Sequence, residues 1–217
     1  MRDACCPAFC LKTDTRQGSW DRFFGKRIGG SVVGIIGYGR IGSKVAKIID
    51  AFNPSKILVN DINHGINFDS IHSDIECVSK ETIYANSDII TLHLPLTSLT
   101  ENLITKSELN LMKDDVLIIK TSKGVIINED DLYHHLLVNT NCVTASDVFK
   151  DEPYNGQLVE LDNTILTSHM GSMSFDCREL MELQAVENII DYFTNDSHGN
   201  VPSFEYDIQE ERCNNDL

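Results

Sequence analysis

Short apolar runs alternate along this chain with segments whose apolar residues recur at helical spacing. VVGII (32–36) and KILVN (56–60) are strand-sized and rich in branched residues, whereas KVAKIIDAF (44–52) places its apolar residues on one helix face. The predicted strands are 32–36, 56–60, 76–78, 88–94, 116–120, 142–149 and 164–168. The predicted helices are 44–52, 80–86, 107–112, 129–139 and 172–194. Alternating strands and helices predict an α/β fold, a doubly wound parallel sheet of the Rossmann type with helices on both faces.

The periodic pattern covers only the middle of the chain. We predict a disordered tail over 1–19, one folded domain over 20–195 and an acidic C-terminal tail over 196–217.

Composition limits which classes of molecule the protein can bind. The 217 residues carry a formal net charge of −15, which argues against nucleic acid and against an anionic membrane surface, because both require cationic surface. The longest apolar runs are strand-sized, so no membrane span is predicted.

Seven cysteines, an odd and mostly scattered set, indicate a reducing compartment, and we predict a cytoplasmic protein. The cluster ACCPAFC (4–10) is compatible with a zinc site or with an unstructured tail. We favour the tail and predict no metal, because no histidine or fourth cysteine lies nearby at ligand spacing.

Parallel sheets bind ligands beyond the carboxyl ends of their strands, so the polar residues that follow each predicted strand form the candidate site. Those residues are Gly37–Gly42, Asp61, His93, Thr121–Lys123, Asp147 and His169.

The first of these stretches, GYGRIG, follows a strand and opens a helix. In such a turn Gly37 permits the bend, Gly39 lets the backbone approach a pyrophosphate, and Gly42 lets the helix pack against the strand. Asp61 ends the second strand, where a carboxylate accepts both ribose hydroxyls and repels a 2′-phosphate. The pattern predicts a dinucleotide, NAD rather than NADP; the competing interpretation is a tight turn without a ligand.

Five stretches in this order, GIIGYGRIG, SDIITLHLPLT, KTSKGVIINEDDL, ASDVFKDEP and NTILTSHMGS, carry a family resemblance. Over about residues 18–195 the chain resembles the NAD-binding domain of the D-isomer-specific 2-hydroxyacid dehydrogenases, among them phosphoglycerate dehydrogenase. The resemblance implies NAD as the cofactor and an oxidoreductase that interconverts a 2-hydroxy acid and a 2-keto acid by hydride transfer.

The resemblance also implies cofactor contacts residue by residue. They are Gly37, Gly39, Arg40, Ile41 and Gly42 at the pyrophosphate, Asp61 at the adenosine ribose, His93 and Pro95 at the cofactor's border, Thr121 and Ser122 on the nicotinamide side, Asp147 at the nicotinamide end, and His169, Gly171 and Ser172 beside the cofactor.

For catalysis, the resemblance makes His169 the proton donor and acceptor and pairs it with Glu152. Reducing a keto acid adds a proton to oxygen, and histidine titrates near neutrality. A neighbouring carboxylate orients the ring and favours its charged form. The alternatives are a histidine that caps a turn at a strand end and a solvated loop acid.

Lys123 stands where the family has an arginine that grips the substrate carboxylate, and Lys120 stands where the family has a small polar residue. A lysine keeps the positive charge but lacks the planar bidentate fork of arginine. We interpret Lys123 as a substrate anchor; the alternative is a solvated loop lysine.

Family members carry most of a substrate domain before this domain, whereas only a short segment precedes Gly18 here. We therefore expect a truncated dehydrogenase; the alternatives are an inactive gene product and a non-catalytic NAD(H)-binding sensor or scaffold module. The family forms homodimers, an assembly that the short N-terminal segment argues against.

Overall fold

A computed structural model describes Gly18 and residues 25–63 and 65–194. The predicted tails, apart from Gly18, and the cysteine cluster at 4–10 lie outside the described residues. Among the described residues, no helix has the length and apolarity needed to cross a membrane.

Seven strands of the described chain form one parallel sheet. They are β1 (Val32–Ile36), β2 (Lys56–Asn60), β3 (Ile75–Cys77), β4 (Ile89–Leu92), β5 (Leu117–Lys120), β6 (Val143–Ser146) and β7 (Thr164–Leu166). Their order is β3-β2-β1-β4-β5-β6-β7, with every neighbouring pair parallel. The winding reverses between β1 and β4, so the switch point of the sheet lies where these strands end.

The helices of the described chain follow the predicted pattern. They are α1 (Gly42–Asp50), α2 (Lys80–Asn86), α3 (Lys106–Leu109), α4 (Glu129–Val138) and α5 (Phe175–Thr194), with short 3₁₀ turns at Gly124–Ile126 and Gln157–Glu160. N-cap side chains fix the starts of α2 and α4. The Ser79 side chain accepts a hydrogen bond from the N–H of Thr82, and the Asn128 side chain accepts one from the N–H of Asp131.

Apolar side chains bury both faces of the sheet. Val33 and Ile35 of β1 point into a cluster that includes Ala46 of α1, while Ile36 points into a second cluster. The second cluster also takes side chains from α2, α3 and α4, among them Leu132. Because alternate residues of a strand face opposite sides, the apolar runs of β1 and β2 must be buried on both, as in a doubly wound sheet. The predicted fold class is confirmed.

Several elements are shorter than the patterns predicted. β6 was expected over 142–149 and β7 over 164–168, but they end at Ser146 and Leu166. Just beyond these ends, Oγ1 of Thr167 donates to the Asp147 carboxylate. The N–H groups of Asp147 and Thr167 still donate to the carbonyl oxygens of Lys120 and Ser146 on the neighbouring strands. The predicted helix 107–112 is the single turn α3, whose start is fixed by a reciprocal cap between Thr105 and Glu108.

The described chain divides into two compact units. The first ends at Gly171 and contains the sheet and α1 to α4, while the second begins at Ser172 and contains α5.

Candidate functional site

The turn between β1 and α1 is built so that only glycine fits at two positions. Gly37 has a φ of +94°, and a Cβ there would lie 2.6 Å from the carbonyl oxygen of His93. A Cβ on Gly42 would collide with the carbonyl oxygen of Gly37. At Gly39, by contrast, a Cβ would meet nothing within 4 Å, so this backbone borders open space.

The N-terminus of α1 faces that open space without a side-chain cap. Its N-cap residue is Ile41, which makes no capping hydrogen bond, and no acidic residue lies in the first turn. Arg40 is exposed beside it. An uncapped helix start with its positive dipole end is suited to an anion, so these residues fit a dinucleotide pyrophosphate.

Asp61 lies beside the glycine turn after β2. Its Oδ2 accepts the N–H of Tyr38 at 2.6 Å, and its Oδ1 accepts the N–H of Asn63 at 2.9 Å. Each carboxylate oxygen has a further lone pair for a ribose hydroxyl. The residue is therefore held in place without using all its acceptor capacity.

His93 and Ser122 follow the neighbouring strands β4 and β5. His93 Nε2 lies 3.0 Å from Oγ1 of Thr91, and burial lowers the pKa of His93, which favours the neutral ring. The buried Oγ of Ser122 has no hydrogen-bond partner among the described residues. Pro95 and Thr121 are exposed at the same edge.

His169 and Glu152 form a hydrogen-bonded pair after β7 and β6. Nδ1 of His169 lies 2.9 Å from Oε2 of Glu152, and the other oxygen of Glu152 accepts the N–H of Phe149 at 2.9 Å. The bonds from His169 and Phe149, together with the charge of Lys123, lower the pKa of Glu152. An ionised carboxylate only accepts, so Nδ1 carries a proton and Nε2 is the atom left for chemistry.

Asp147 organises the turn that presents His169. Its Oδ1 accepts from Oγ1 of Thr167 at 2.5 Å and from the N–H of Met170 at 2.9 Å, and its Oδ2 from the N–H of Gly171 at 3.2 Å. Burial alone would raise the pKa of Asp147, but these bonds lower it. His169 itself has a φ of +53° and donates its N–H to the Asp147 carbonyl at 2.8 Å.

Lys123 follows β5 and begins the 3₁₀ turn at Gly124. It is exposed and close enough to Glu152 for its charge to help lower the Glu152 pKa. The predicted site residues of the first unit, from Gly37 to Gly171, thus follow the carboxyl ends of the strands. Ser172 begins the second unit, and its cofactor contact stays a prediction.

The sequence analysis missed the environment of Lys120, whose side chain is 0% exposed and pairs with Glu129 at 3.3 Å. Nothing in the periodicity of KTSKG distinguishes it from Lys123, which is exposed. Lys120 is the last residue of β5, as in the predicted strand 116–120, while Lys123 lies beyond it, and no signal in the sequence indicates that this strand end is buried.

A cavity of about 360 Å³ is lined by Glu129, the partner of Lys120, and by Lys150. Its other lining residues are 101–102, 125, 127–128, 130, 133, 151 and 154–158, so none of Lys123, Glu152 and His169 lines it. Among the described residues, no group of three or more His, Cys, Asp or Glu side chains is arranged to hold a metal ion.

Residues 5–171 match the model of the D-isomer specific 2-hydroxyacid dehydrogenase family, NAD binding domain. The chain belongs to this family. The predicted family and the NAD cofactor are confirmed, and the glycine turn with Asp61 is the part of the chain whose geometry fits that cofactor.

Known relatives are about a third identical to the chain over the residues that align. A glyoxylate reductase of Thermofilum pendens is 32% identical over 183 residues, which are 81% of this chain and 54% of the relative. A hydroxypyruvate reductase of Thermotoga maritima is 31% identical over 180 residues, 80% of this chain and 57% of the relative. The chain spans a little over half the length of the curated relatives it matches.

Solved structures share the fold. A glyoxylate reductase from Paecilomyes thermophila superposes with a TM-score of 0.79 at 29% identity, covering 87% of this chain and 58% of that one. A D-lactate dehydrogenase from Aquifex aeolicus, solved with NAD and lactic acid, gives 0.76 at 25% identity, with coverages of 84% and 60%.

Proposed function

We propose that the whole protein is an NAD-dependent oxidoreductase that interconverts a 2-hydroxy acid and a 2-keto acid. The observation that carries the proposal is the 2.9 Å bond between His169 Nδ1 and the Glu152 carboxylate, at the strand edge that also holds the glycine turn. Glyoxylate and hydroxypyruvate are the first substrates to test, because relatives at 31–32% identity are named for them.

The chemistry divides between the cofactor and the chain. NADH, when bound, supplies the hydride. In the reducing direction His169 gives the proton at Nε2 to the developing alkoxide, and in the oxidising direction Nε2 accepts it from the hydroxyl. Glu152 orients the ring through Nδ1 and stabilises its charged form. Asp147 holds the turn around His169, and its predicted contact with the nicotinamide stays a proposal.

Lys123 is the proposed anchor for the substrate carboxylate. It follows the central strand β5, is exposed and carries a positive charge near Glu152. An ammonium at this edge would offset the repulsion between an anionic substrate and a chain of net charge −15. A solvated loop lysine remains the competing interpretation, and substitution distinguishes the two.

We expect Lys123→Ala to lower kcat/KM for glyoxylate roughly 10- to 100-fold, because it removes a charge-assisted hydrogen bond to the carboxylate. Lys123→Arg should raise kcat/KM above that of the unaltered protein, since the guanidinium restores a bidentate contact. Steady-state rates of NADH oxidation measure both. Lys47→Ala, on an exposed residue of α1, is the matched control and should change nothing.

Equal rates for the unaltered protein and Lys123→Ala would show that Lys123 is a surface lysine. If NADH affinity falls instead, Lys123 serves the cofactor. Tight NADH binding without turnover of any keto acid would contradict the proposed reaction and favour the sensor or scaffold module.

The position of Asp61 beside Tyr38 leads to a prediction about cofactor choice. We expect NADH to bind at least roughly tenfold more tightly than NADPH, because the carboxylate would face the 2′-phosphate. Asp61→Ala should weaken NADH binding and reduce this preference, as measured by fluorescence titration. Asp69→Ala removes an exposed acid from the same loop and serves as the control. Equal affinity for both cofactors in the unaltered protein would exclude this role of Asp61.

A further inference from the structure

Lys120 is a wholly buried lysine at the carboxyl end of β5. Its Nζ donates to the carbonyl oxygen of Gly124 at 3.1 Å and pairs with Oε1 of Glu129 at 3.3 Å. The ring of Phe149 lies 5.5 Å from Nζ, measured to its centroid. Removing an ammonium from water is costly unless such contacts compensate, so this arrangement is a specific one.

The bond to Gly124 fixes the turn that carries Lys123, the preceding residue. The backbone of Gly124 packs so closely on the carbonyl group of Phe149 that a Cβ would collide with it. Lys120 therefore ties this turn down at the point where it meets the segment that follows β6.

The pairing of Lys120 with Glu129 fixes the segment that follows β6. Oε1 of Glu129, besides pairing with Lys120, accepts the N–H of Lys150 at 2.9 Å. One residue earlier, the N–H of Phe149 donates to Oε1 of Glu152 at 2.9 Å. The other oxygen of Glu152 bonds the candidate catalytic imidazole. The Lys120 ammonium is thus linked both to the turn that carries Lys123 and to the segment that carries Glu152.

We propose that Lys120 is a positioning residue: its buried ammonium holds Lys123 and Glu152 in a fixed mutual geometry without contacting substrate or cofactor. Its importance for catalysis rests on the proposed function. Burial lowers the pKa of Lys120, while its pairing with Glu129 and the more distant charge of Glu152 oppose that shift.

Lys120→Met tests this role, because it removes the ammonium and keeps a long unbranched side chain. We expect the ¹³C NMR titration midpoint of the Glu152 carboxyl to rise toward its usual range, because the bonds that lower this pKa depend on the placement of the segment and because the variant also removes the positive charge of Lys120, which acts on Glu152. Exchange of the Lys150 amide hydrogen should accelerate. For glyoxylate, kcat should fall roughly 10- to 100-fold, as expected for a small misplacement of catalytic groups. The dissociation constant of NADH, bound at the glycine turn, should stay within about twofold.

Two further variants separate positioning from folding. Lys113 pairs with Asp88 at 2.9 Å before the amino end of β5, so Lys113→Met removes an ion pair from the opposite end of the same strand. It should lower stability while leaving kcat and the Glu152 titration unchanged. Lys120→Met combined with Glu129→Met removes both charges of the pair, so no unpaired carboxylate is left beside the buried methionine, and should recover stability. In this double variant residue 120 still holds neither Gly124 nor Glu129. We therefore expect kcat to stay low and the titration midpoint of Glu152 to stay high.

The inference is wrong if Lys120→Met leaves kcat and the Glu152 midpoint unchanged, or if the double variant recovers both together with its stability. In those cases Lys120 serves folding alone. If the unaltered protein reduces no keto acid, the proposed function fails. The exchange of the Lys150 amide hydrogen then still decides whether Lys120 fixes this geometry.

Discussion

Replacing His169 by asparagine should reduce keto-acid turnover by roughly 10²- to 10⁴-fold while leaving NADH binding intact. Asparagine is the informative substitution because it tolerates the left-handed backbone that His169 adopts, with its φ of +53°. The turn held by Asp147 should therefore survive, and only the proton donor at Nε2 is lost. Steady-state kinetics with glyoxylate and a fluorescence titration of NADH measure the two quantities.

Two further variants test the charge of Glu152 and whether the loss of turnover is specific to His169. Glu152→Gln keeps an oxygen that can accept from Nδ1 but removes the charge that stabilises the imidazolium, so a smaller loss, about tenfold, is expected. His134→Asn removes an exposed histidine of α4 and should have no effect. A His169→Asn protein with unreduced turnover would mean that the proton comes from another group.

Gly42→Ala should destabilise the protein by about 3 kcal/mol and abolish NADH binding. The added methyl group would collide with the carbonyl oxygen of Gly37, a backbone atom that moves only if the whole turn opens. The free energy of unfolding from urea titration measures the first effect, and a fluorescence titration the second.

Gly39→Ala is the matched control because its methyl group would enter open space. Stability should stay within about 0.5 kcal/mol of the unaltered protein, yet NADH affinity should fall at least roughly tenfold, since the methyl group occupies space needed by the pyrophosphate. If Gly39→Ala binds NADH normally, the pyrophosphate does not lie over this turn.

The sequence predicted the sheet well because its signal is local. β1 and β2 match the predicted runs residue for residue, since each is a continuous apolar run bounded by polar or turn residues. The glycine spacing at 37, 39 and 42 then located the turn, because the motif itself is a local sequence signal, although the steric demand at Gly37 comes from His93, far along the chain.

The strand ends were less predictable than the strand centres. Asp147 and Thr167 lie within the strands predicted from the sequence, but the strands end just before them and their side chains bond to each other. The two residues are twenty positions apart, and periodicity carries no information about such a pairing. The same limit applies to Asp147, whose carboxylate bonds within the turn became visible only in the structure.

Lys120 is the clearest case of what the sequence could not reveal. A lysine after LII is expected to mark the point where a strand reaches water, yet this one is buried. Its burial depends on Glu129, Gly124 and Phe149, which three different segments bring together.

Because Lys120 is buried, its contacts and the binding of anionic ligands should respond differently to ionic strength. Mobile ions screen exposed pairs such as Lys56 and Glu76 more than a pair whose lysine is fully buried. The contacts of Lys120 should therefore respond little to salt. The approach of anionic ligands to a chain of net charge −15 should become easier as salt rises. Salt would thus change how fast such ligands arrive. It would not alter the geometry that Lys120 maintains.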